Sequence, residues 1–122
     1  MTFMRDYRAE APPAEVLAGT SGVVLLEFGT GWCGHCQAAQ PAIEAALAGR
    51  DGVVHLKIED GKGRQPGRAF RVKLWPTLVL LRDGREVARA VRPTSPRELA
   101  QWFDAALDQA PPAAADGVSD AD

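Results

Sequence analysis

The hydrophobic residues of this chain fall into short runs that predict β-strands. Residues 23–28 and 77–81 are almost wholly apolar, a pattern that is typical of strands buried on both faces. Residues 53–58 predict another strand, and residues 86–91 predict a further one that follows a hairpin turn at Asp83-Gly84. The apolar pattern therefore predicts a sheet.

Helical signals lie in four segments: residues 10–19, residues 37–47, residues 68–73 and a last helix that begins at Pro96. The last helix has the clearest start, with Ser95 as the N-cap, Pro96 at the first helical position and Glu98 completing a capping box. Its apolar stripe consists of Leu99, Trp102, Phe103 and Ala106. This stripe is expected to face the core.

The order of these elements predicts an α/β fold with a central mixed β-sheet of four to five strands, flanked by helices on both faces. A helical crossover makes strands 23–28 and 53–58 parallel, whereas the hairpin turn makes the last two strands antiparallel. Residues 3–8 would supply an additional first strand. We place one domain at residues 1–109 and a disordered acidic tail at residues 110–122.

Composition and charge exclude several classes of function. The chain is 46% hydrophobic and 25% charged with a net charge of −2, which is ordinary for a globular domain and gives no nucleic-acid footprint. A local basic cluster is typical of a solvated helix face: Lys62, Arg64, Arg68, Arg71 and Lys73. The first residues lack a secretory apolar run and no stretch is suited to spanning a membrane, so we expect a cytoplasmic protein. We also expect it to work as a monomer.

The two cysteines of the chain, Cys33 and Cys36, directly follow the apolar strand 23–28. A disulfide that closes so short a loop adds little stability, which favours a chemical role over a structural one. The topology places Cys33 at the start of a helix, where unpaired N–H groups and the helix dipole lower the pKa of its thiol. Cys36 lies one turn further along the same face. Cys33 would therefore attack a client disulfide, and Cys36 would resolve the mixed disulfide.

Other uses of the cysteine pair are possible. A zinc site takes about four ligands, and the chain offers only the two cysteines, His35, His55 and scattered carboxylates. The pair could also be buried and unreactive, or it could bind zinc or an iron–sulfur centre between two copies of the chain. We predict no metal and no cofactor.

The segment Trp32-Cys33-Gly34-His35-Cys36 resembles the Trp-Cys-Gly-x-Cys motif of the thioredoxin superfamily. The resemblance covers most of the chain, roughly residues 15–108. Further residues match family features at compatible spacings: Glu27, Pro41, Lys57, Trp75-Pro76-Thr77 and Asp83-Gly84. The resemblance implies a thioredoxin fold and a thiol–disulfide oxidoreductase that acts on protein disulfides.

The resemblance also implies roles for residues around the cysteines. Glu27 would accept the proton that activates the second cysteine, and we expect its burial in an apolar strand to raise its pKa. Lys57, on the same strand face as His55, would pair with Glu27 or would be an exposed lysine of an edge strand. The resemblance implies a cis peptide bond between Trp75 and Pro76 and a Trp75 main chain that pairs with an extended client, whereas the alternative is a proline that simply begins a strand.

Position 35 distinguishes branches of the superfamily. Gly34-His35 resembles the protein disulfide isomerases, whereas general thioredoxins usually carry proline there. A histidine between the sulfurs can stabilise the Cys33 thiolate, so we expect a potential between roughly −270 mV, as in thioredoxin, and roughly −180 mV, as in the isomerase. Two departures from the family alter the client-facing rim: Gly29 replaces an aromatic residue, and Arg92-Pro93 replaces a glycine.

These features support two hypotheses about function. In the first, the chain is an enzyme that receives electrons from a reductase or another dithiol donor. Its client-facing residues would be Trp32, Gly34, Trp75, Pro76 and Arg92. In the alternative, a thioredoxin-fold binding module holds one partner on that rim, and the cysteine pair is a redox switch or vestigial.

Overall fold

The structure is a computed structural model that describes residues 4–8, 12, 14–61 and 69–108. Its helices and strands follow in the order α1 (Ala14–Ala18), β1 (Val23–Gly29), α2 (Gly34–Leu47), β2 (Val53–Glu59), β3 (Thr77–Arg82), β4 (Arg85–Val91) and α3 (Pro96–Leu107). The tail predicted over residues 110–122 lies outside the described residues, as do Lys62, Arg64 and Arg68 of the basic cluster.

The described strands form a mixed sheet with the order β2-β1-β3-β4. β1 pairs with β2 in parallel and with β3 in antiparallel orientation, and β3 and β4 form the antiparallel hairpin. This arrangement confirms the predicted α/β fold, in its four-strand form. β1 lies in the interior of the sheet, and its residues from Val24 to Gly29 are all buried.

Side chains that alternate along β1 build two cores, one on each face of the sheet. Leu25 packs into the core beneath α2 and α3, together with Phe103. Val24, Leu26 and Phe28 pack into the second core, against α1. The helices therefore cover both faces, and odd-numbered residues of β1, including position 27, point towards α2.

Two predicted elements differ from the structure. Residues 4–8 form no regular strand, because only Arg8 pairs with β2, through bonds to Lys57 O (2.9 Å) and from the Glu59 N–H (2.8 Å). The helix predicted over 68–73 is wrong in its described part: Ala69 is helical, but Arg71 has a φ of 59°, in the left-handed region, which ends the helix.

The last helix begins as its sequence predicts. The Ser95 side chain accepts a hydrogen bond from the Glu98 N–H at 3.1 Å, and the stripe residues Leu99, Phe103 and Ala106 are buried. No helix among the described residues is both long and apolar enough to cross a membrane.

Two glycines with the same backbone conformation give a test of the packing between α1 and the hairpin. Gly22 and Gly84 have φ values of 86° and 84°, but only at Gly84 would a Cβ collide with the Ala18 main chain. Gly22→Ala should cost about 1 kcal/mol, because an L-residue is strained in the left-handed region. Gly84→Ala should cost about 1–3 kcal/mol more, because of the collision. Urea denaturation of both variants measures the difference, and equal losses would contradict the packing.

Candidate active site

The two sulfurs occupy different positions at the start of α2. β1 ends at Gly29, and a short turn leads to Cys33, which is the N-cap of α2 with extended φ and ψ of −80° and 123°. The Cys33 Sγ accepts a hydrogen bond from the Cys36 N–H at 3.3 Å. Cys33 is 9% exposed and Cys36 is 1% exposed. A client can therefore reach the first sulfur more easily than the second.

The electrostatic surroundings of the sulfurs also differ. Burial alone would raise the pKa of Cys33. The opposing effects are larger and bring its pKa below the usual value: hydrogen bonds from the Cys36 thiol and from the N–H groups of Cys36 and His35, and the charge of Arg92. Burial and the neighbouring Cys33 raise the pKa of Cys36 to about 11. The predicted lowering of the Cys33 pKa is confirmed. The His35 contact comes from its main chain, and its side chain is exposed.

Glu27 lies fully buried on β1, beneath the start of α2. Its Oε1 accepts a hydrogen bond from His55 Nε2 at 2.8 Å. Its Oε2 accepts one from the Tyr7 hydroxyl at 2.5 Å and one from Gln40 Nε2 at 2.8 Å. Burial raises the pKa of Glu27, but these three hydrogen bonds together hold it below the usual range. The predicted rise is wrong, because it considered desolvation without these donors.

Lys57 lies close to the acid but bonds to other groups. Its Nζ donates to Gln40 Oε1 at 2.7 Å and to the Arg5 carbonyl at 2.5 Å, and it is 4.0 Å from Glu27 Oε2. The side chain is only 2% exposed, so the alternative of an exposed edge-strand lysine is wrong. Burial lowers its pKa. The predicted pair with Glu27 exists as a longer ion contact.

The tautomer of His55 follows from its two neighbours. The Met4 N–H donates to His55 Nδ1 at 2.8 Å, so Nδ1 is the acceptor nitrogen. Nε2 then carries the proton and donates it to Glu27 Oε1. His55 is buried and contacts the carboxylate more closely than Lys57 does.

The sequence did not predict the hydrogen bonds that three side chains make to Glu27: Tyr7, Gln40 and His55. His55 stands two residues before Lys57, and the strand period places both on one face. Gln40 stands four residues after Cys36, so the helix period places it next to the second cysteine. These spacings could have indicated both residues. Tyr7 has no comparable local signal.

Aromatic residues and Arg92 form the rim beside the sulfurs. Trp32 is 73% exposed, and its ring meets that of Trp75 edge-on with the centroids 5.7 Å apart. The Trp75 indole donates to Asp60 at 2.8 Å, and the peptide bond from Trp75 to Pro76 is cis. Arg92 has a φ of 52°, and its Nε donates to the Trp75 carbonyl at 2.8 Å. The rim thus combines apolar surface with one guanidinium.

Sterics explain why position 29 is a glycine. A Cβ there would lie 2.5 Å from Cys36 Sγ, 2.8 Å from the Tyr7 hydroxyl and 3.0 Å from the ring carbon that bears it. Tyr7 thus takes the space beside this position, and a larger residue would collide with it. Among the described residues, no group of three potential His, Cys, Asp or Glu ligands could hold a metal.

A cysteine pair at the start of a helix, next to a central strand that carries a buried acid, defines a dithiol site of the thioredoxin-fold class. The Thioredoxin family model matches residues 9–105, so this chain belongs to the thioredoxin family. It is accordingly a thiol–disulfide oxidoreductase, an enzyme that acts on disulfide substrates.

Individual relatives agree with this assignment. The chain is 39% identical to a thioredoxin of Chlamydia trachomatis over 71 residues, which are 58% of this chain and 70% of that protein. It is also 39% identical to protein disulfide-isomerase A3 of Gallus gallus over 71 residues, 57% of this chain and 14% of that protein. The structure of reduced thioredoxin 2 from Pseudomonas aeruginosa PAO1 matches with 53% identity and a TM-score of 0.77, over 86% of this chain and 97% of that one.

The bonds to Glu27 make a testable contribution to stability. In Glu27→Gln, an amide nitrogen that cannot accept a hydrogen bond replaces one of the two acceptor oxygens, so the variant should lose about 1–3 kcal/mol at neutral pH. Because folding lowers the pKa of Glu27, the wild type gains stability above the unfolded pKa and loses it as pH falls through the folded pKa. The difference between the variant and the wild type should therefore shrink in acid.

Urea denaturation between neutral pH and about pH 3, on either side of the ordinary glutamate pKa, measures this difference. Glu15→Gln, at an exposed position of α1, is the matched control and should show no such gap. A gap that stays constant or grows in acid would contradict the lowered pKa.

Proposed function

We propose that this chain exchanges the disulfides of protein clients, with Cys33 as the nucleophile and Cys36 as the resolving cysteine. The contrast between the two sulfurs carries this proposal. Cys33 is the more exposed sulfur and has the lowered pKa, whereas Cys36 is nearly enclosed and has a pKa of about 11. The thiolate is the attacking species in disulfide exchange, so the first attack falls to Cys33.

The same contrast orders the two steps. In the first, the Cys33 thiolate bonds to one client sulfur, and the other client sulfur leaves with the electron pair. Cys33 is then part of the mixed disulfide and carries no charge, so it no longer raises the pKa of Cys36. In the second step, Cys36 attacks Cys33, and the client sulfur departs as a thiolate. The client gains two electrons, and the cysteine pair becomes a disulfide.

Glu27 serves the second step as the proton acceptor for Cys36. Its lowered pKa keeps it ionised near neutral pH, and it lies fully buried beneath the helix that carries Cys36. Lys57 supports it from a distance by holding Gln40, which donates to the carboxylate. Lys57 is therefore a positioning residue in this proposal.

The rim would bind an extended client segment. Trp32 offers an exposed flat surface, and Gly34, without a side chain, leaves the approach to Cys33 open. The Trp75 main chain, next to Pro76, would pair with the client. Arg92 already bonds the Trp75 carbonyl, so a client must share or displace this bond.

The stability of the Cys33 thiolate sets the redox potential of the cysteine pair. Groups that stabilise the Cys33 thiolate favour the reduced form, and His35 would add to the effect of Arg92. We place the potential between those of thioredoxin and protein disulfide isomerase, with a dithiol reductase as the electron donor. Both cysteines of the chain belong to the pair, which suits a reducing cytoplasm.

Cysteine variants test the assignment of the two steps. With dithiothreitol as the electron donor, the wild type should accelerate the reduction of insulin, and Cys33→Ser should reduce it no faster than dithiothreitol alone. Cys36→Ser should instead accumulate a mixed disulfide between Cys33 and the client, because the second step is blocked. The adduct is measured by non-reducing gel electrophoresis and mass spectrometry.

The two serine variants are matched controls for each other. Trapping by Cys33→Ser rather than by Cys36→Ser would reverse the assignment of nucleophile and resolving cysteine. Full insulin reduction by Cys33→Ser would refute the proposed mechanism.

A further inference from the structure

The hydroxyl of Tyr7 lies between the buried carboxylate and the resolving sulfur. It donates a hydrogen bond to Glu27 Oε2 at 2.5 Å, and its interaction with Cys36 lowers the pKa of that thiol. Gly29 leaves room for this contact, since a Cβ there would lie within 2.5 Å of Cys36 Sγ and 2.8 Å of the hydroxyl. The sulfur and the hydroxyl therefore border the same narrow space.

The position of Tyr7 is held by bonds between its segment and β2. The Met4 N–H donates to His55 Nδ1 at 2.8 Å, and Lys57 Nζ donates to the Arg5 carbonyl at 2.5 Å. Arg8 forms the main-chain bridge to β2, and the Lys57 ammonium lies 4.3 Å from the centroid of the Tyr7 ring. Contacts on both sides of Tyr7 thus fix its ring over the acid.

The bonds of Glu27 show which neighbour can connect it to the sulfur. Its hydrogen-bond partners are His55, Gln40 and Tyr7. Gln40 reaches the main-chain carbonyl of Cys36 at 2.8 Å, whereas the Tyr7 hydroxyl borders the same space as Cys36 Sγ itself. A hydroxyl can accept one proton while it donates another, which an amide does less readily.

We propose that Tyr7 is a catalytic residue that relays the proton of Cys36 to Glu27 during the resolving step. This proposal rests on the proposed function. The Cys36 proton moves to the Tyr7 oxygen while the Tyr7 proton moves to Glu27 Oε2. Cys36 Sγ bonds to Cys33 Sγ, the bond from Cys33 to the client breaks, and the client sulfur leaves with the electron pair.

The surroundings of Tyr7 suit a relay that returns to its starting state. Burial and the Glu27 carboxylate raise the pKa of Tyr7 far above its usual value, so it remains a neutral hydroxyl before and after the transfer. The titratable groups facing Tyr7 and its carboxylate are Cys36 on α2, Glu27 on β1, His55 and Lys57 on β2, and Asp6 on its own segment. Since the pKa of Glu27 is low, Glu27 releases the proton again, and its neighbours Tyr7, Gln40 and Lys57 line a pocket of about 190 Å³.

Tyr7→Phe tests the relay, because it keeps the ring and removes the hydroxyl. One equivalent of an aromatic disulfide that releases a coloured thiolate separates the steps: the first thiolate reports attack by Cys33, and the second reports resolution by Cys36. The variant should leave the first phase unchanged and slow the second by about tenfold or more. The pH at which the second phase reaches half its maximum should also rise.

Arg8→Ala is the matched control on the same segment, since Arg8 is exposed and pairs with β2 through its main chain. It should behave as the wild type in both phases. The second-phase rate in mixtures of H₂O and D₂O adds a readout that packing alone would not change. Two protons in flight predict a curved dependence on deuterium content for the wild type and a linear one for Tyr7→Phe.

The outcomes separate the relay from the proposed function. A wild type that releases no second thiolate would refute the two-cysteine exchange, and the relay with it. If the wild type releases both but Tyr7→Phe keeps the second phase within twofold and the same pH profile, the relay alone is overturned. Should Tyr7→Phe not fold, the deuterium dependence of the wild type alone decides the question. A curved dependence is expected, and a linear one would overturn the relay.

Discussion

The start of α2 is the point on which both the packing and the chemistry depend, because one sulfur caps the helix and the other lies one turn inside it. Cys33 accepts the Cys36 N–H as an N-cap side chain would, so its thiolate also satisfies a free helix donor. Cys36 instead packs against Gly29 and Tyr7 beneath the helix. The same local geometry thus makes one sulfur reactive and keeps the other protonated until it is needed.

The buried carboxylate of Glu27 connects the start of α2 to the rest of the site. A carboxylate in the interior of a sheet requires donors, because burial without them would neutralise it. The donors to Glu27 come from three different parts of the chain: Tyr7 from the N-terminal segment, Gln40 from α2 and His55 from β2. These bonds tie the N-terminal segment and the edge strand to the helix that carries the cysteines. Removing the carboxylate should therefore affect stability as well as chemistry.

The sequence carried much of this structure in local patterns. The apolar runs of β1 and β3, the cap of α3 at Ser95 and the position of Cys33 at a helix start are all confirmed. Each depends on a periodicity or a residue type within a few positions of the chain.

The remainder depends on contacts between distant residues. Tyr7 and Glu27 are 20 positions apart, and His55 and Glu27 are 28 apart. No local pattern shows that residues 4–8 lie beside β2. Because the sequence does not reveal Tyr7 and His55 as hydrogen-bond donors to Glu27, it predicts the shift of the Glu27 pKa in the wrong direction. The left-handed conformation at Arg71 likewise ends a helix that the sequence would continue. The sequence shows that Gly29 stands where the family carries an aromatic residue. Only the structure shows the reason, which is that Tyr7 and Cys36 Sγ leave no room for a side chain there.

The central claim is that the two sulfurs ionise separately, Cys33 first. A pH titration of the reduced protein, followed by the ¹³Cβ NMR shifts of the two cysteines, measures this directly. We expect Cys33 to titrate below the ordinary cysteine pKa of about 8.5 and Cys36 to titrate near 11. Two cysteines that titrate together near the ordinary value, or Cys36 titrating first, would contradict the account.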